Sequence, residues 1–485
     1  MRQKVSREQD PAVKARLGQY LTPSRIANFM ASLFDFSITD SVRLLDAGAG
    51  IGSLSAAFFE RLLEDPLPRS VQWCGYEIDK NLAVHLRNKI DRYAVRLNAS
   101  GINFEHDLKE VDFVEDAVKQ ILFRIGVRYN FAILNPPYKK INANSRHRLL
   151  LRETKIETVN LYTGFLALVI NLLAPGGQVV AIVPRSFCNG PYYKPFRNIL
   201  LNKTSIRHIH LFGSRDKAFK DDQVLQENLI IHLERAGTQG NVTISTSTDD
   251  TFGDYKETVF SFEHILDPGD AERFIHIPTT SEFNPLDHSH NIHSSLDDLG
   301  LMVSTGPVVD FRVAEHLRSA PEPGTVPLLY PGHFIDGRVE WPKLGKKPNA
   351  LVLNDHTRPM LYPNGYYVVV RRLSSKEEHR RIIASVVEPC AFETEFIALE
   401  NHLNVFHTQR NGLHEDIAYG LCLYLNSSFI DNVFRRFSGH TQVNATDLRL
   451  LKYPPLEVLR RLGAWAKKQT PYIQESIDEE VNRYV

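Results

Sequence analysis

The chain has 485 residues, 43% of them apolar, and its 57 basic and 57 acidic side chains cancel. That length and apolar share predict two or three packed domains rather than a disordered or fibrous chain. No apolar run is long enough to span a bilayer, Met1-Arg2-Gln3-Lys4 opens no secretion signal, and Cys74, Cys188, Cys390 and Cys422 lack the paired spacing of a zinc site or disulfide framework. Residues 24 to about 34 read as a leading helix with Ile26, Phe29, Met30 and Leu33 on one face. Val42-Arg43-Leu44-Leu45 is a strand signal. Asp46-Ala47-Gly48-Ala49-Gly50-Ile51-Gly52 follows it directly, and an amphipathic helix runs from Leu54 to Leu63. Strand, glycine loop and helix form the opening unit of a nucleotide-binding α/β fold, in which glycines let the backbone approach a ligand. Asp46 is placed to accept from a ligand's ammonium group. A second strand, Val71 to Tyr76, ends in Glu77-Ile78-Asp79, where a carboxylate binds both hydroxyls of a ribose. No Gly-Lys-Ser/Thr follows the glycine loop, which argues against a P-loop and phosphoryl transfer.

Further along, Phe131-Ala132-Ile133-Leu134 reads as a buried strand that ends in Asn135-Pro136-Pro137-Tyr138. Ligands bind at the carboxyl ends of strands in open α/β sheets. There a carboxamide oxygen and a backbone carbonyl can both accept from a planar –NH2 group, and Tyr138 offers a flat face for stacking. The plainer alternative is a turn that caps the strand. Leu161 to Leu173 is an apolar helix ended by Pro175-Gly176-Gly177, and Gln178 to Val183 is the next strand. This βαβα rhythm implies a mostly parallel sheet with helices on both faces. Ile206 to Phe212 and Asn228 to Leu233 read as an antiparallel hairpin at the sheet edge. From Asn241 the rhythm is lost, and the segments to about Asp298 read as a transition. Beyond it a mixed domain is expected, with β runs at Tyr366–Val370 and Phe396–Leu399 and a helix from about Ile417 to Phe437. The predicted domains are 1–290 and 291–485.

Charge is uneven along the chain although its sum is zero, and the distribution bears on a nucleic-acid partner more than the sum. Lys139, Lys140, Arg146, Arg148, Arg152 and Lys155 follow the tetrapeptide with only Glu153 among them. Such a segment meets phosphates beside the pocket or forms a solvated loop. A second basic set comprises Arg371, Arg372, Arg380, Arg381, Arg435, Arg436, Arg449 and Lys452. Ser438, His440, Thr441, Gln442 and Asn444 lie among them as candidates for base edges or phosphates.

Asp46 to Gly52, Glu77 and Asn135 to Tyr138, in that order, resemble S-adenosylmethionine-dependent amino-methyltransferases acting on adenine N6. Gly18-Gln19-Tyr20-Leu21-Thr22-Pro23, followed by the helical Ile26, Phe29, Met30 and Leu33, resembles the methionine-side cofactor motif of these enzymes. Its place before the glycine loop is the arrangement of the gamma class of DNA adenine methyltransferases, whose target-recognition domain is C-terminal. Within that class the chain looks most like restriction-modification methyltransferases of the BsuBI/PstI and Eco57I-like type. The segment from Arg435 to Leu448 resembles one that recurs in their recognition domains.

The resemblance implies a Rossmann-like class I methyltransferase domain, α/β in class, with a C-terminal mixed α/β target-recognition domain. It implies S-adenosyl-L-methionine as cofactor and no metal. Tyr20, Thr22, Asp46, Gly48, Gly50, Glu77, Ile78, Asp112, Phe113 and Asn135 would surround the cofactor, and Asn135, Pro136, Pro137 and Tyr138 the reacting amine. For the adenine end of the cofactor Asp107 competes with Asp112, because it ends the strand-like Ile102 to His106 more directly. Phe219 falls where the family carries an aromatic that stacks on the target base; a loop or core aromatic is the alternative. Substrate contacts are expected from Tyr138, Phe219, Lys139, Lys140, Arg435, Arg436, His440, Gln442 and Asn444. The expected partner is double-stranded DNA, met by a cytoplasmic monomer, with any restriction endonuclease on a separate chain. Too few residues precede Gly18 to hold a fused nuclease, and no Pro-Asp…Glu-x-Lys pattern stands out. Release-factor glutamine methyltransferases and some RNA methyltransferases share the tetrapeptide, and a catalytically inert DNA-binding specificity module is a further alternative.

Overall fold

Phe131-Ala132-Ile133-Leu134 is apolar throughout because its strand is covered on both faces. Phe131 and Ile133 join one core, Ala132 and Leu134 the other. The same alternation separates Leu44 from Leu45, and Val180 and Ile182 from Val179, Ala181 and Val183. Each of these Val, Leu, Ile and Phe side chains contributes about 1.5–3 kcal/mol by leaving water, and the two alanines less. The computed structural model describes residues 21–37, 39–64, 68–213, 227–278, 292–335, 337–343, 345–374, 378–437, 442–469 and 473–484. The chain divides into two compact units, residues 1–281 and 282–485, against the expected 1–290 and 291–485.

In the first unit α1 (Ser24–Ser32) leads into β1 (Ser41–Ala47), α2 (Ser53–Glu64), β2 (Ser70–Tyr76), α3 (Lys80–Ala99) and β3 (Asn103–Lys109). Then come α4 (Phe113–Phe123), β4 (Tyr129–Leu134), α5 (Arg146–Glu153), α6 (Leu161–Leu172), β5 (Leu173–Pro184) and α7 (Lys194–Lys203). The last strands are β6 (Thr204–Phe212), β7 (Asn228–Arg235), β8 (Val242–Ser247) and β9 (Lys256–Phe260). They form one sheet in the order β3-β2-β1-β4-β5-β7-β6-β8-β9. β1 to β5 run parallel, and β7 is antiparallel to both neighbours. α1, α2 and α3 pack on one face, α4, α6 and α7 on the other. This is the Rossmann-like class I methyltransferase arrangement. Because β1 sits between β2 and β4, the segments that follow these three strands open side by side at a topological switch point.

The sheet differs from the sequence expectation at its far end. β6 and β7 pair antiparallel as expected but do not form the sheet edge: β7 lies between β5 and β6, and β8 and β9 extend the sheet beyond β6. β8 carries no apolar strand signal in the sequence because Ser245 and Ser247 are polar yet buried. Their hydroxyls are satisfied by His208 (2.6 Å) and His210 (2.8 and 3.1 Å) on β6. β5 also starts earlier than expected, at Leu173, and carries Pro175-Gly176-Gly177 within it beside a register shift against β4.

The second unit contains β10 (Met302–Thr305), β11 (Leu317–Arg318), β12 (Thr325–Leu329), β13 (Phe334–Ile335), β14 (Arg338–Val339), β15 (Ala350–Val352) and β16 (Leu361–Pro363). β17 (Tyr367–Arg371), β18 (Ala384–Val387), β19 (Phe396–Leu399) and β20 (Leu403–His407) follow. Its helices are α8 (Glu415–Leu425), α9 (Ser428–Phe437), α10 (Ala445–Leu450), α11 (Leu456–Ala466) and α12 (Gln474–Asn482). One sheet has the order β10-β20-β17-β18, another β11-β15-β12-β19-β16, and β13 pairs with β14. The expected helix over 417–437 is broken in two. Asn426 caps α8 and turns its side chain onto the backbone of β18, accepting from Ala384 N (3.0 Å) and donating to Ala384 O (2.9 Å). α8 and α11 touch backbone to backbone at Gly420 and Gly463, where an added Cβ would lie within 2 Å of the other helix's carbonyl oxygens. Among the described residues no helix is long and apolar enough to cross a membrane.

Candidate active site

The glycine loop turns tightly at the end of β1 because Gly48 (φ +86°) and Gly50 (φ +57°) adopt a backbone that L side chains rarely take. The N–H groups of Gly48 and Ala49 both donate to Tyr76 O at the end of β2. This fold-back brings Gly48 and Gly50 to the wall of a cavity shared with Leu21, Glu77, Ile78, Asp112, Phe113 and Asn135. Glu77 is buried and held from two sides, its Oε2 accepting from Gly50 N (2.8 Å) and its Oε1 from Asp79 N (2.7 Å). Burial nevertheless raises its carboxyl to about 7 against those backbone bonds. Asp46 lies fully buried and does not border this cavity. Its Oδ2 accepts from Ser55 Oγ (2.5 Å), which in turn accepts from Trp73 Nε1 (2.8 Å), while Oδ1 meets no hydrogen-bond partner among the described residues. Burial raises this carboxyl to about 7 as well; the Ser55 bond opposes the rise and the Glu77 charge adds to it.

Opposite Glu77, Asp112 caps the N-terminus of α4 by accepting from Glu115 N (3.2 Å). Phe113 and Phe165 stand beside it with ring centroids 4.9 Å apart. Asp107 lies elsewhere, bordering a surface pocket with Gln72, Trp73 and His106. The cavity wall also includes Leu82, Val111, His147, Leu161 and Phe165, none of which the sequence reading singled out. Phe165 and Leu161 were legible only as parts of an apolar helix. His147 carried no signal apart from its place after the tetrapeptide.

At the end of β4 the Asn135 carboxamide is held by both ends. Its Nδ2 donates to Thr22 Oγ1 (3.1 Å), and its Oδ1 accepts from the Tyr138 hydroxyl (2.9 Å). That hydroxyl also lies 3.1 Å from Ile182 O on β5. Both hydroxyls can donate or accept, so together they fix the plane of the carboxamide. Among the described residues no hydrogen bond engages the Pro136 carbonyl. Pro137 borders the cavity, Pro136 is buried, and the half-buried Tyr138 ring meets Tyr162 edge-on at 6.2 Å.

The basic segment after the tetrapeptide is more neutral in space than in sequence. Arg146 pairs with Glu115 (2.8 Å), and Arg148 and Arg152 both pair with Glu157. Lys139 and Lys140 are exposed, without a carboxylate partner among the described residues. In the second unit Arg435 is tied to Asp431 (2.6 Å) and to the carbonyls of Glu378 and His379. Asn444 is the N-cap of α10, exchanging bonds with Asp447. Gln442 pairs through its backbone with Leu373. Leu373 borders a groove of about 880 Å³ lined by Lys343, Lys346, Lys347, Arg371 and His402 and by Glu378 and Glu400, which pair with Arg371 and His402, while Lys347 pairs with Asp310. Tyr20, Phe219, His440 and the Arg436 side chain lie outside the described residues.

Residues 71–219 match the family described as Eco57I restriction-modification methylase. The chain is 50% identical over 458 residues to the type II methyltransferase M.BsuBI of Bacillus subtilis, covering 93% of this chain and 90% of that one. It is 41% identical over 480 residues to the type II methyltransferase M.PstI of Providencia stuartii, covering 98% and 94%. Among solved structures, a cryo-EM structure of a DrdV–DNA complex shares the fold with a TM-score of 0.52 at 14% identity, over 96% of this chain and 58% of that one.

Proposed function

The chain belongs to the type II restriction-modification methyltransferases, and from that membership we propose that it transfers a methyl group from S-adenosylmethionine to N6 of an adenine in double-stranded DNA. The observation that carries this reading is a shared border: Asn135 lines the same cavity as Glu77, Asp112 and Phe113. The residues suit that cofactor. Glu77 would take the ribose hydroxyls and Asp112 the adenine amine, with Ile78 and Phe113 as apolar walls of the cavity that all four line. Asp46, fully buried and not part of the cavity lining, would act on a cationic ligand through its charge rather than by direct contact. Bound there, the cofactor supplies an electrophilic methyl on a sulfonium whose leaving group is a neutral thioether.

The protein's share is orientation and electrostatics. An adenine amine is a poor nucleophile because its lone pair is delocalised into the ring. Asn135 Oδ1 and the Pro136 carbonyl would accept its two hydrogens, favouring a pyramidal nitrogen whose lone pair faces the methyl. These two acceptors would hold the amine as its nitrogen takes up the methyl group, and the proton that it gives up would pass to solvent. An amine inside a duplex is out of reach, so the base must be extruded. Tyr138 and Phe219 would replace part of its lost stacking, worth about 1–3 kcal/mol per base.

The deciding experiment is transfer of labelled methyl to unmodified genomic DNA, followed by nucleoside digestion. N6-methyldeoxyadenosine is the expected product. Label confined to RNA or to protein glutamine would overturn the substrate. Thr22 gives a narrower prediction. Thr22→Val is expected to lower kcat about tenfold, since a bond of roughly 1.4 kcal/mol orients Asn135, and Thr22→Ser should restore it; single-turnover kinetics at saturating cofactor would check this.

We assign DNA contact in the second unit to the groove beside Leu373 and Gln442. Alanine at Lys346 and Lys347 together should weaken binding to all sequences alike and shallow its salt dependence by about one unit per lost phosphate contact. Gln442→Ala should instead change which sequences are methylated. Anisotropy titrations across salt and mapping of modified sites would separate the two effects.

A further inference from the structure

We propose that His147 is a positioning residue for the cofactor, fixing the Asp112 carboxylate so that it faces the adenine amine. The inference rests on the reading of the cavity as the S-adenosylmethionine site. A carboxylate that only caps a helix is held through one oxygen and can swing about it. Asp112 is held through both: Oδ1 accepts from Glu115 N (3.2 Å), and the His147 imidazole donates from Nε2 to Oδ2 at 2.7 Å. Holding both oxygens sets the plane of the carboxylate, and with it the direction from which an exocyclic –NH2 group can donate to it. His147 itself borders the cavity together with Glu77 and Asn135.

The imidazole is placed by the chain that follows the tetrapeptide. Ser145 caps α5 by accepting from Arg148 N, so that His147 lies in its first turn. One residue earlier, Arg146 pairs with Glu115 at 2.8 Å. α5 is therefore fastened at two points to the start of α4, which carries Asp112. Leu151 packs against Gly164 of α6, where an added Cβ would lie 2.7 Å from the Leu151 side chain. The helix leaving the methyl-transfer end of the site thus sets the geometry of the adenine end.

The groups facing His147 are Asp112, Glu115 and Lys139. The Asp112 bond chiefly keeps the imidazole protonated to higher pH than usual, with burial and Lys139 opposing. Burial pushes the Asp112 carboxyl up, but the His147 bond and charge outweigh it and hold it below its ordinary value.

The test compares wild type, His147→Ala and His147→Gln, whose amide can still donate to Asp112 but carries no charge. Each is measured with S-adenosylmethionine and with the analogue whose purine 6-amino group is replaced by a carbonyl. His147→Ala is expected to raise KM for S-adenosylmethionine about tenfold, with kcat within about twofold, and to lose most discrimination against the 6-oxo analogue. A tenfold change corresponds to about 1.4 kcal/mol. His147→Gln should recover most of the lost KM and discrimination; wild-type KM is expected to rise at alkaline pH as the imidazole loses the proton whose charge helps to hold Asp112, and the uncharged glutamine should not show that rise. Unchanged KM and discrimination in His147→Ala, with wild type binding the cofactor normally, would overturn the inference alone. Failure of wild type to bind S-adenosylmethionine by calorimetry would instead remove the reading beneath it.

Discussion

Asn135→Ala is expected to lower methyl transfer on the order of 10³-fold, the scale seen when one preorganised hydrogen-bonding group is removed from a reacting centre. The loss should fall on kcat, because the proposed contact is strongest when the amine nitrogen becomes pyramidal. Truncation removes the acceptor and also releases Thr22 Oγ1 and the Tyr138 hydroxyl, both of which bond the carboxamide. DNA affinity and cofactor affinity should remain within a few fold, since Glu77, Asp112 and the second unit are untouched. Calorimetry with the cofactor, anisotropy with DNA and single-turnover transfer would measure the three quantities separately. Loss of DNA binding with cofactor uptake preserved would place Asn135 in recognition instead of chemistry.

Cofactor affinity is expected to fall as pH drops below 7, and Glu77 is the main reason. Burial raises both Glu77 and Asp46 to about 7, so a large share of each carboxyl is protonated in the unliganded protein at and below neutrality. A cationic cofactor whose ribose hydroxyls donate to Glu77 favours the ionised forms. Binding at pH 6 must therefore release protons, whereas binding at pH 8 need not. Linkage gives about a tenfold weaker Kd at pH 6 than at pH 8 for each carboxyl that has to ionise. Glu77→Gln removes one of the two and should flatten the profile accordingly. It should also weaken binding about 10- to 100-fold, the worth of one or two hydrogen bonds to a charged group. Calorimetric Kd values at three pH values, in buffers of different ionisation enthalpy, would show both the slope and the proton release. A flat profile in wild type would mean that neither carboxyl is ionised by cofactor.

The segments that border the cavity were legible because each answers a local demand of the backbone. Gly48 and Gly50 adopt positive φ, and the tetrapeptide ends a strand whose four preceding residues are buried on both faces. Glu77 follows β2 for the same positional reason. β8 was not legible: Thr243, Ser245 and Ser247 look like loop residues until His208 and His210 arrive from β6 to satisfy the buried hydroxyls. The arginines after the tetrapeptide read as a basic loop until Glu115 and Glu157 were found beside them.

The sequence by itself determined the α/β class, the order of the motifs and the family, since strand periodicity and short catalytic segments are set by residues a few positions apart. Only the tertiary structure decided that Asp112 rather than Asp107 borders the cavity, that Thr22 orients Asn135, and that His147 holds Asp112. Those pairs lie 113 and 35 residues apart in the chain. Their partners are chosen by which strand ends and helix termini the sheet order sets side by side, and no local preference encodes that.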